Sequence, residues 1–457
     1  MRQLFHFSLI ILFLAFFKNS YGFENHINPP DSSTNIINKT AAHYFIKEGQ
    51  SFFSMGKIKD ALIKFRQANV KDPNNWKADY WIGKCHYRLN NYGYALKYTN
   101  SAIEKGKNKI DDEIYYLLAT SNHRLGNLEK AVINYKKANT LLSKARANTL
   151  RIEHHINECN FAIDEIKKGS KYKKSRIQGG INSAYDDYQI ILSKDGNTIY
   201  FVSRRSNTTG GGLNPDDQHY FEDTYKSVYN QELKEWSMAD NELGKLNSNG
   251  FDALNYINSD ENVAYLTINS TYQKSKTPTK SSDICIAKLN SKGSWNYPKP
   301  IKNINTSYFE GSASLTADGN TMYFVSDRKG DTRSTDIYVS HKNGKSWSEA
   351  IPLSDSINTP GRETTPFISP DGKYLFFSSD GHLGFGNLDV YVSENRGGKW
   401  SSPINMGYGI NSVNNDTHFY YNKELQKAFI SGFEIVGNKA NIDCYEIDMQ
   451  NFKLPKK

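Results

Sequence analysis

The sequence predicts a multidomain protein, an all-α solenoid of helix pairs followed by an all-β five-bladed β-propeller. Small residues recur at helical spacing in three units, and from residue 177 short alternating strands recur in five units. Each such unit buries its apolar face only by stacking on its neighbours. With four cysteines and 38% hydrophobic residues in 457, the chain is neither a disulfide scaffold nor a polytopic membrane protein.

The helical units are marked by alanines. Ala61, Ala95 and Ala131 lie 34 and 36 residues apart. Small residues are needed where two helices of a pair touch, and aromatic residues fill the groove between successive pairs. This spacing, with Pro73 after a second helix, resembles the tetratricopeptide repeat (TPR). The resemblance implies three repeats over residues 41–170 and a groove that holds a protein partner.

A further helix is predicted from Ala147 to Lys168, where it would cap the apolar end of the solenoid. The adjacent His154 and His155 would point to different faces of this helix, which is poor spacing for a metal ion. We therefore predict no metal centre, and no motif indicates a cofactor.

The N-terminus predicts export. An apolar run from Leu4 to Phe17 follows Arg2 and precedes small residues that end at Gly22. The run is too short for a membrane span and typical of a signal peptide, so residues 1–22 would be removed and the mature chain would have no membrane span. An uncut anchor is the alternative. Residues 23–40 are predicted to form a flexible segment.

The second region repeats with fixed internal spacing. Five asparagines are each followed by Ser or Thr: Asn182, Asn247, Asn305, Asn358 and Asn411. Five residues after each stands an acid: Asp187, Asp252, Glu310, Glu363 and Asp416. Each unit reads as four strands, and four-stranded units in radial array form the blades of a β-propeller. We assign residues 171–457 to this propeller.

Closure of the propeller is also legible. Tryptophans open the fourth strand of units one to four: Trp236, Trp295, Trp347 and Trp400. The fifth unit ends without one, and the segment from Arg176 to Asn182 mirrors the segment that precedes Asn411. The N-terminal segment is therefore predicted to supply the outer strand of the last blade, which gives five blades and not six.

Two strings carry a resemblance to a known family. Ser-Pro-Asp-Gly-Lys at 369–373 and Ser-Thr-Asp-Ile-Tyr at 334–338 resemble the WD40-like propeller repeat of the TolB type. A TPR region followed by such a propeller is similar to the N-terminal modules of OmpA-like proteins of type IX secretion and gliding. This resemblance implies a Gram-negative protein of the periplasm, the outer membrane or the cell surface.

The repeated acids are the first candidate site. Asp187, Asp252, Glu310, Glu363 and Asp416 are predicted to ring the mouth of the propeller channel, where like charges repel unless something positive compensates. A cation, a partner's Lys or Arg, or internal arginines would serve. The internal candidates are Arg204, Arg205, Arg328 and Arg362. The alternative is that each acid caps a backbone turn beside its Asn.

Two long loops are the second candidate site. All of the extra length in the strand units falls between the second and third strands of units one and two, on the face of the acid ring. Their predicted partner-binding residues are His219, Tyr220, Phe221, Tyr272, Lys274 and Lys276. Binding residues concentrate on such loops; an insertion without a ligand is the alternative.

Charge separates the two regions. Residues 23–176 hold 27 Lys and Arg against 15 Asp and Glu, a balance of +12, whereas residues 177–457 hold 28 against 33, a balance of −5. A basic helical surface attracts acidic proteins or envelope polymers; a solvated face without a partner is the alternative. An acidic propeller argues against nucleic-acid binding.

These observations predict a non-enzymatic protein-interaction scaffold of the bacterial envelope, accessory to type IX secretion or gliding. One protein partner would bind the TPR groove and another the loop face of the propeller. No catalytic motif appears in the sequence. The alternative is a glycan-binding or glycan-active, sialidase-like propeller that uses the acid ring, with a cation or glycan as its ligand.

Overall fold

The computed structural model of the protein describes residues 32–215, 217–269, 281–330, 334–436, 439–450 and 452. The predicted signal peptide at residues 1–22 lies outside these described residues, and so do Tyr272, Lys274 and Lys276. Within them, no helix has the length and apolar character that a bilayer crossing requires.

The first region is a solenoid of helix pairs. Its helices are α1 (Ser32–Ser54), α2 (Ile58–Lys71), α3 (Trp76–Arg88), α4 (Tyr92–Gly106), α5 (Ile114–Arg124), α6 (Leu128–Leu141), α7 (Lys144–Thr149) and α8 (Ile152–Lys168). Three pairs, α1 with α2, α3 with α4 and α5 with α6, form the predicted TPR-like repeats, and α8 packs on α6 at the end.

Small residues sit at the contacts within each pair, as the repeat pattern predicts. Ala61, Ala95 and Ala131 are all fully buried. A side-chain carbon at Gly49 would lie 2.6 Å from the ring of Phe65, so the first pair closes only because that position has none.

Two helix boundaries differ from the sequence expectation. The first helix begins at Ser32, so residues 32–40 are helical and not part of a flexible segment. The predicted capping helix is divided into α7 and α8, because Arg151 adopts a left-handed conformation with φ of 51°. A non-glycine residue at such a φ interrupts an α-helix.

The second region consists of strands. They are β1 (Lys174–Arg176), β2 (Asp187–Leu192), β3 (Thr198–Ser203), β4 (Asp223–Asn230), β5 (Glu235–Trp236), β6 (Phe251–Ile257), β7 (Val263–Asn269), β8 (Asp283–Lys288), β9 (Lys299–Pro300), β10 (Glu310–Leu315), β11 (Thr321–Ser326), β12 (Asp336–Asn343), β13 (Ser346–Trp347), β14 (Ile351–Pro352), β15 (Glu363–Ile368), β16 (Tyr374–Ser379), β17 (Asp389–Arg396), β18 (Lys399–Trp400), β19 (Ile404–Asn405), β20 (Asp416–Asn422), β21 (Lys427–Val436) and β22 (Lys439–Asp448).

These strands form five antiparallel sheets, the five predicted blades. Blades one to four start at β2, β6, β10 and β15, and run outward in chain order. Blade five has the order β1-β22-β21-β20, in which Arg176 pairs with Tyr445. The prediction that the N-terminal segment supplies the outer strand of the last blade is therefore confirmed.

Each innermost strand carries a β-bulge near its middle. Four bulge residues have positive φ: Gln189, Ser312, Thr365 and His418. The bulge turns main-chain N–H groups toward the preceding blade, where a hydroxyl accepts them. The N–H of Gln189 donates to Ser431 Oγ at 3.0 Å, and that of Ser312 donates to Thr267 Oγ1 at 3.0 Å. The blades are thus joined by hydrogen bonds around the axis.

Candidate functional site

The five ring acids are the first or, for Asp252, the second residue of the innermost strands, and all are fully buried. Each carboxylate accepts the main-chain N–H and the hydroxyl of the Ser or Thr four residues earlier. These residues are Ser183, Ser248, Thr306, Thr359 and Ser412. In blade three the distances from Thr306 to Glu310 are 2.7 and 2.6 Å. This is turn-cap geometry, so the acids do not form an exposed ring at a channel mouth.

The repeated asparagines join neighbouring blades. The Asn411 amide accepts the N–H of Val390 at 2.7 Å and donates to its carbonyl at 2.9 Å. The other four make the same pair of bonds, to Cys444, Thr224, Ile284 and Ile337. An Asn side chain here replaces a peptide group of a neighbouring strand. Asn182 makes this bond across the closure between blades five and one.

A second set of acids lies at the same end of the blades. In blades one to four the third strand starts with Asp, and in blade five Asp443 occupies the matching place within β22, since it and Asp416 both pair with Gly432: Asp223, Asp283, Asp336, Asp389 and Asp443. In blade one, Asp187 and Asp223 both pair with Ser203, one from each side. The repeat therefore brings ten carboxyl groups to one end of the channel, a charge that the fold must neutralise.

Five basic side chains neutralise half of these acids. The ion pairs are Arg205 with Asp187 at 2.7 Å, Arg328 with Glu310 at 3.3 Å, Lys174 with Asp416 at 2.8 Å, Arg176 with Asp443 at 2.8 Å and Lys329 with Asp336 at 2.5 Å. Of the four arginines suggested by the sequence, Arg204 and Arg362 pair elsewhere, with Asp217 and Asp380. The closing strand β1 supplies two cations that the sequence pattern did not indicate.

Two ring acids have no cationic partner among the described residues, and protonation explains how they are accommodated. Among the described residues no ion pair reaches Asp252 or Glu363. Burial raises the pKa of Asp252 to about 7, and the charge of Asp223 adds to the shift. Burial likewise raises the pKa of Glu363 to about 7, with a contribution from Asp336. Near neutral pH these two acids hold a proton for much of the time, which reduces the repulsion among the carboxyl groups at this end.

The TPR region docks on this same end of the propeller. The loop between β16 and β17 inserts Phe385, fully buried, into the core of the third repeat. Its ring meets Phe161 of α8 edge-on at 5.3 Å, and its carbonyl accepts a hydrogen bond from His123 Nε2 at 2.7 Å. Burial lowers the pKa of His123 to about 3, so the ring is neutral and donates one proton here.

Polar contacts surround the inserted side chain of Phe385. Arg124, 2% exposed, donates to the carbonyl of Val413. Arg151 donates to the carbonyl of Asp380 at 2.7 Å. Gly386 has φ of 131°, and a side chain there would lie 2.6 Å from His123, so the loop needs glycine at this point. The interface therefore has an apolar centre with a polar surround.

A second contact uses the long loop of blade one. Lys59 Nζ of α2 donates to the carbonyl of Gln218 at 2.6 Å. Among the predicted binding residues, His219 Nδ1 lies 3.5 Å from Asp186 Oδ2, and the ring of Tyr220 contacts the ring of Tyr185 edge-on. Phe221 is buried and 7% exposed. Part of the predicted partner-binding loop is thus used to dock the TPR region of the same chain.

A buried polar network lies on α5 and α8, next to the contact between the TPR region and the propeller. Potential ligand atoms of His123, His155 and Glu158 lie within 4.8 Å of one another. Glu158 lies 3.0 Å from His154 and 2.7 Å from His155. Burial opposes ionisation of Glu158, yet the hydrogen bonds from these histidines hold its pKa below the usual range. The expectation that the two histidines point apart is wrong, because α8 directs both toward Glu158.

On the first two repeats, aromatic rings surround a lysine. Lys84 Nζ lies 4.3 Å from the ring centre of Trp81, 5.3 Å from that of Tyr80 and 5.7 Å from that of Phe53. The exposed guanidinium of Arg88 lies 5.7 Å from Phe53. Burial lowers the pKa of Lys84. This cluster on α1 and α3 combines positive charge with aromatic surface, outside the Phe385 contact.

The opposite end of the channel holds a feature that the sequence reasoning missed. A cavity of about 670 Å³ opens among the ends of the innermost strands, and all five blades line it. Tyr256, Phe367 and Tyr420 contribute aromatic walls. The available signal was their shared position, four residues after each ring acid, where the residue type varies from blade to blade.

A comparison with known protein families matches the helical region. A family model described as anaphase-promoting complex, cyclosome, subunit 3 matches residues 54–138, which lie within the three helical repeats. No curated protein matches the chain significantly. The match covers less than half of the chain, so it supports a TPR-type region without assigning the whole protein to a family.

Three solved structures match parts of the chain at low similarity. The first TPR of Spaghetti (RPAP3) bound to an HSP90 peptide is 22% identical, covers 25% of this chain and 94% of its own, and gives a TM-score of 0.23. YrrB, a TPR protein with an unusual peptide-binding site, is 19% identical over 30% and 66%, with a TM-score of 0.25. The α-L-arabinofuranosidase PaAbf62A from Podospora anserina, in complex with cellotriose, is 11% identical over 60% and 95%, with a TM-score of 0.36. At these values no ligand or reaction carries over.

Proposed function

We propose that this protein is a non-enzymatic scaffold of the bacterial cell envelope whose TPR region binds an acidic segment of a partner protein. The observation that carries the proposal is the Lys84 cluster, in which two cations lie over aromatic rings on the first two repeats. Aromatic rings supply buried contact area, and cations select carboxylates and exclude basic segments. The balance of +12 over residues 23–176 favours the same class of partner.

Of the two binding surfaces predicted from the sequence, docking leaves the TPR region, which carries this cluster, as the better candidate. The propeller end that carries the ring acids contacts α5 and α8 of the chain itself. The five ring carboxylates are buried, which does not favour a glycan-active site at this end. The propeller therefore acts first as the rigid base that holds the TPR region in place.

A peptide titration tests this function. A labelled peptide of alternating glutamate and aromatic residues should bind the wild-type chain, and added salt should weaken the binding. The double variant Lys84→Glu, Arg88→Glu should lose about tenfold or more in affinity, because both charges reverse. The control Lys130→Glu, an exposed lysine on α6, should bind like wild type. Equal affinity in the double variant would contradict the proposal.

The envelope location and an accessory role in type IX secretion or gliding are further parts of the proposal. They are supported by the apolar run behind Arg2 and by the resemblance of residues 369–373 to the TolB-type repeat. The test is N-terminal sequencing of the chain recovered from envelope fractions of a Gram-negative host. A sequence starting at Phe23 is expected, and an intact Met1 in the cytoplasmic fraction would contradict export.

A further inference from the structure

The cavity at the channel end remote from the TPR region has no role in the function proposed above. It measures about 670 Å³, which falls in the range of roughly 300–1,000 Å³ typical of small-molecule sites. One apolar or aromatic residue from each blade lines it at the same position, five residues after the ring acid: Leu192, Ile257, Leu315, Ile368 and Tyr421.

Its walls are aromatic in three of the blades and carry smaller residues in the other two. Tyr256, Phe367 and Tyr420 occupy equivalent positions in blades two, four and five, and the rings of Phe367 and Tyr420 meet edge-on at 5.1 Å. The equivalent residues in blades one and three are Ile191 and Ser314. These smaller residues leave an open space, and the three aromatic rings form its boundary. An aromatic wall favours contact with another aromatic ring.

Several polar groups of the lining are already used by the turns that carry them. Ser193 donates to Asp195 at 2.6 Å, and Ser369 donates to Asp371 at 2.6 Å, each within its own turn. The Asn258 side chain accepts from two main-chain N–H groups of its turn. A ligand rich in hydroxyl groups or charge would lose its hydration here without gaining a partner from these three side chains.

Charge is confined to the mouth. Among the lining residues, the charged ones are Lys194, Asp371, Lys423 and Glu424, and all lie in the turns that form the rim. Both signs are present there, so the rim attracts neither anions nor cations specifically. The chemistry of the wall therefore selects an uncharged ligand.

The middle of the channel separates this cavity from the docked end. The ring of His418 lies 5.4 Å from that of Tyr188, and Gln189 Nε2 donates to the carbonyl of Leu254 at 2.7 Å. Burial lowers the pKa of His418 to about 3, so this ring stays neutral. A ligand in the cavity thus has no direct path to the TPR contact.

We propose that this cavity binds a small, uncharged, ring-containing apolar ligand. The site is distinct from the Lys84 cluster and does not depend on the function proposed for it. The five strand ends form a preorganised wall, because each is held by its own turn and by the neighbouring blade.

The test uses the full chain and the neutral fluorescent probe N-phenyl-naphthylamine. The wild type should bind the probe saturably, with a blue shift in emission. Ala317→Trp and Lys194→Trp place a large ring at the mouth from blades three and one, at exposed positions where folding is not at risk. Each should weaken probe binding by about tenfold or more.

Two controls separate this site from others. Ala145→Trp adds the same side chain at an exposed position of α7 and should bind the probe like wild type. Lys84→Glu should also leave probe binding unchanged, whatever its effect on peptide binding. Absence of saturable binding, or undiminished binding in both mouth variants, would overturn the proposal.

Discussion

The two ends of the propeller channel use the fivefold repeat in opposite ways. At the end that faces the TPR region, each blade repeats the same Asn and the same type of acid, and these side chains are turned inward to hold turns and neighbouring strands. At the other end, the residues four positions after each ring acid differ from blade to blade, and a cavity opens among them. The residues that are repeated in every blade hold the blades together, whereas the proposed ligand cavity lies where the residue type varies between blades.

The largest effect is expected at the docked end. Phe385→Ala removes a fully buried ring from the centre of the contact, and should cost about 3 kcal/mol of coupling between the two regions. Calorimetry should then show the TPR region and the propeller melting separately. Leu383→Ala is the matched control, because this residue of the same loop is 48% exposed. Identical unfolding of the two variants would contradict docking by Phe385.

The next effect tests the ring acids themselves. Asp187→Asn leaves the guanidinium of Arg205 buried without its carboxylate, and should cost about 3 kcal/mol. In the same blade, Asp195→Asn changes an acid of the exposed turn at the cavity end and should cost well under half as much. Urea unfolding followed by tryptophan fluorescence measures both. Equal costs would mean that the two ends are not distinguished by burial.

The acids without a cation predict a dependence on pH. Because the folded-state pKa of Asp252 is raised to about 7, the folded chain keeps a proton that the unfolded chain has lost between about pH 4 and pH 7. This contribution to stability is complete below the unfolded-state pKa and is lost as pH rises through about 7. The variant Asp252→Asn has no titrating carboxyl group at this position, so it does not lose this stability as pH rises.

The measurement is the stability of Asp252→Asn relative to wild type at two pH values. The variant should gain about 2 kcal/mol on wild type between about pH 5 and about pH 8. Glu363→Gln should shift in the same direction, because burial also raises the pKa of Glu363 to about 7. A constant difference across this range would show that both acids are ionised throughout.

The smallest effect is expected at the cavity end. Ala317→Trp and Lys194→Trp alter exposed rim positions and should change the free energy of unfolding by no more than about 0.5 kcal/mol. Thermal unfolding of the full chain measures this. A loss as large as that of Asp187→Asn would show that the rim is structural as well.

Much of the fold was predictable because it repeats. The Asn and acid spacing gave five units, and the missing tryptophan of the last unit placed β1 in blade five, as the pairing of Arg176 with Tyr445 shows. Local patterns of this kind survive in the sequence, since each blade solves the same packing problem. The helix break at Arg151 carried no comparable signal, because it depends on a single backbone conformation.

The contact between the regions could not be predicted from spacing. Phe385 lies in a loop of ordinary length, and its burial depends on Phe161 and His123, which are more than two hundred residues away in sequence. The glycines on both sides of Phe385 were the available hint, since they let the chain approach another backbone closely. Likewise, His154 and His155 look unrelated until α8 brings both to Glu158.

Hydrogen exchange tests most directly whether the repeated end of the propeller is a docking surface. In the wild-type chain, peptides that cover residues 380–389 and 120–125 should both be protected, and Phe385→Ala should remove both protections together. Free exchange of the 380–389 loop in the wild type, or loss of protection on one side only, would contradict the account.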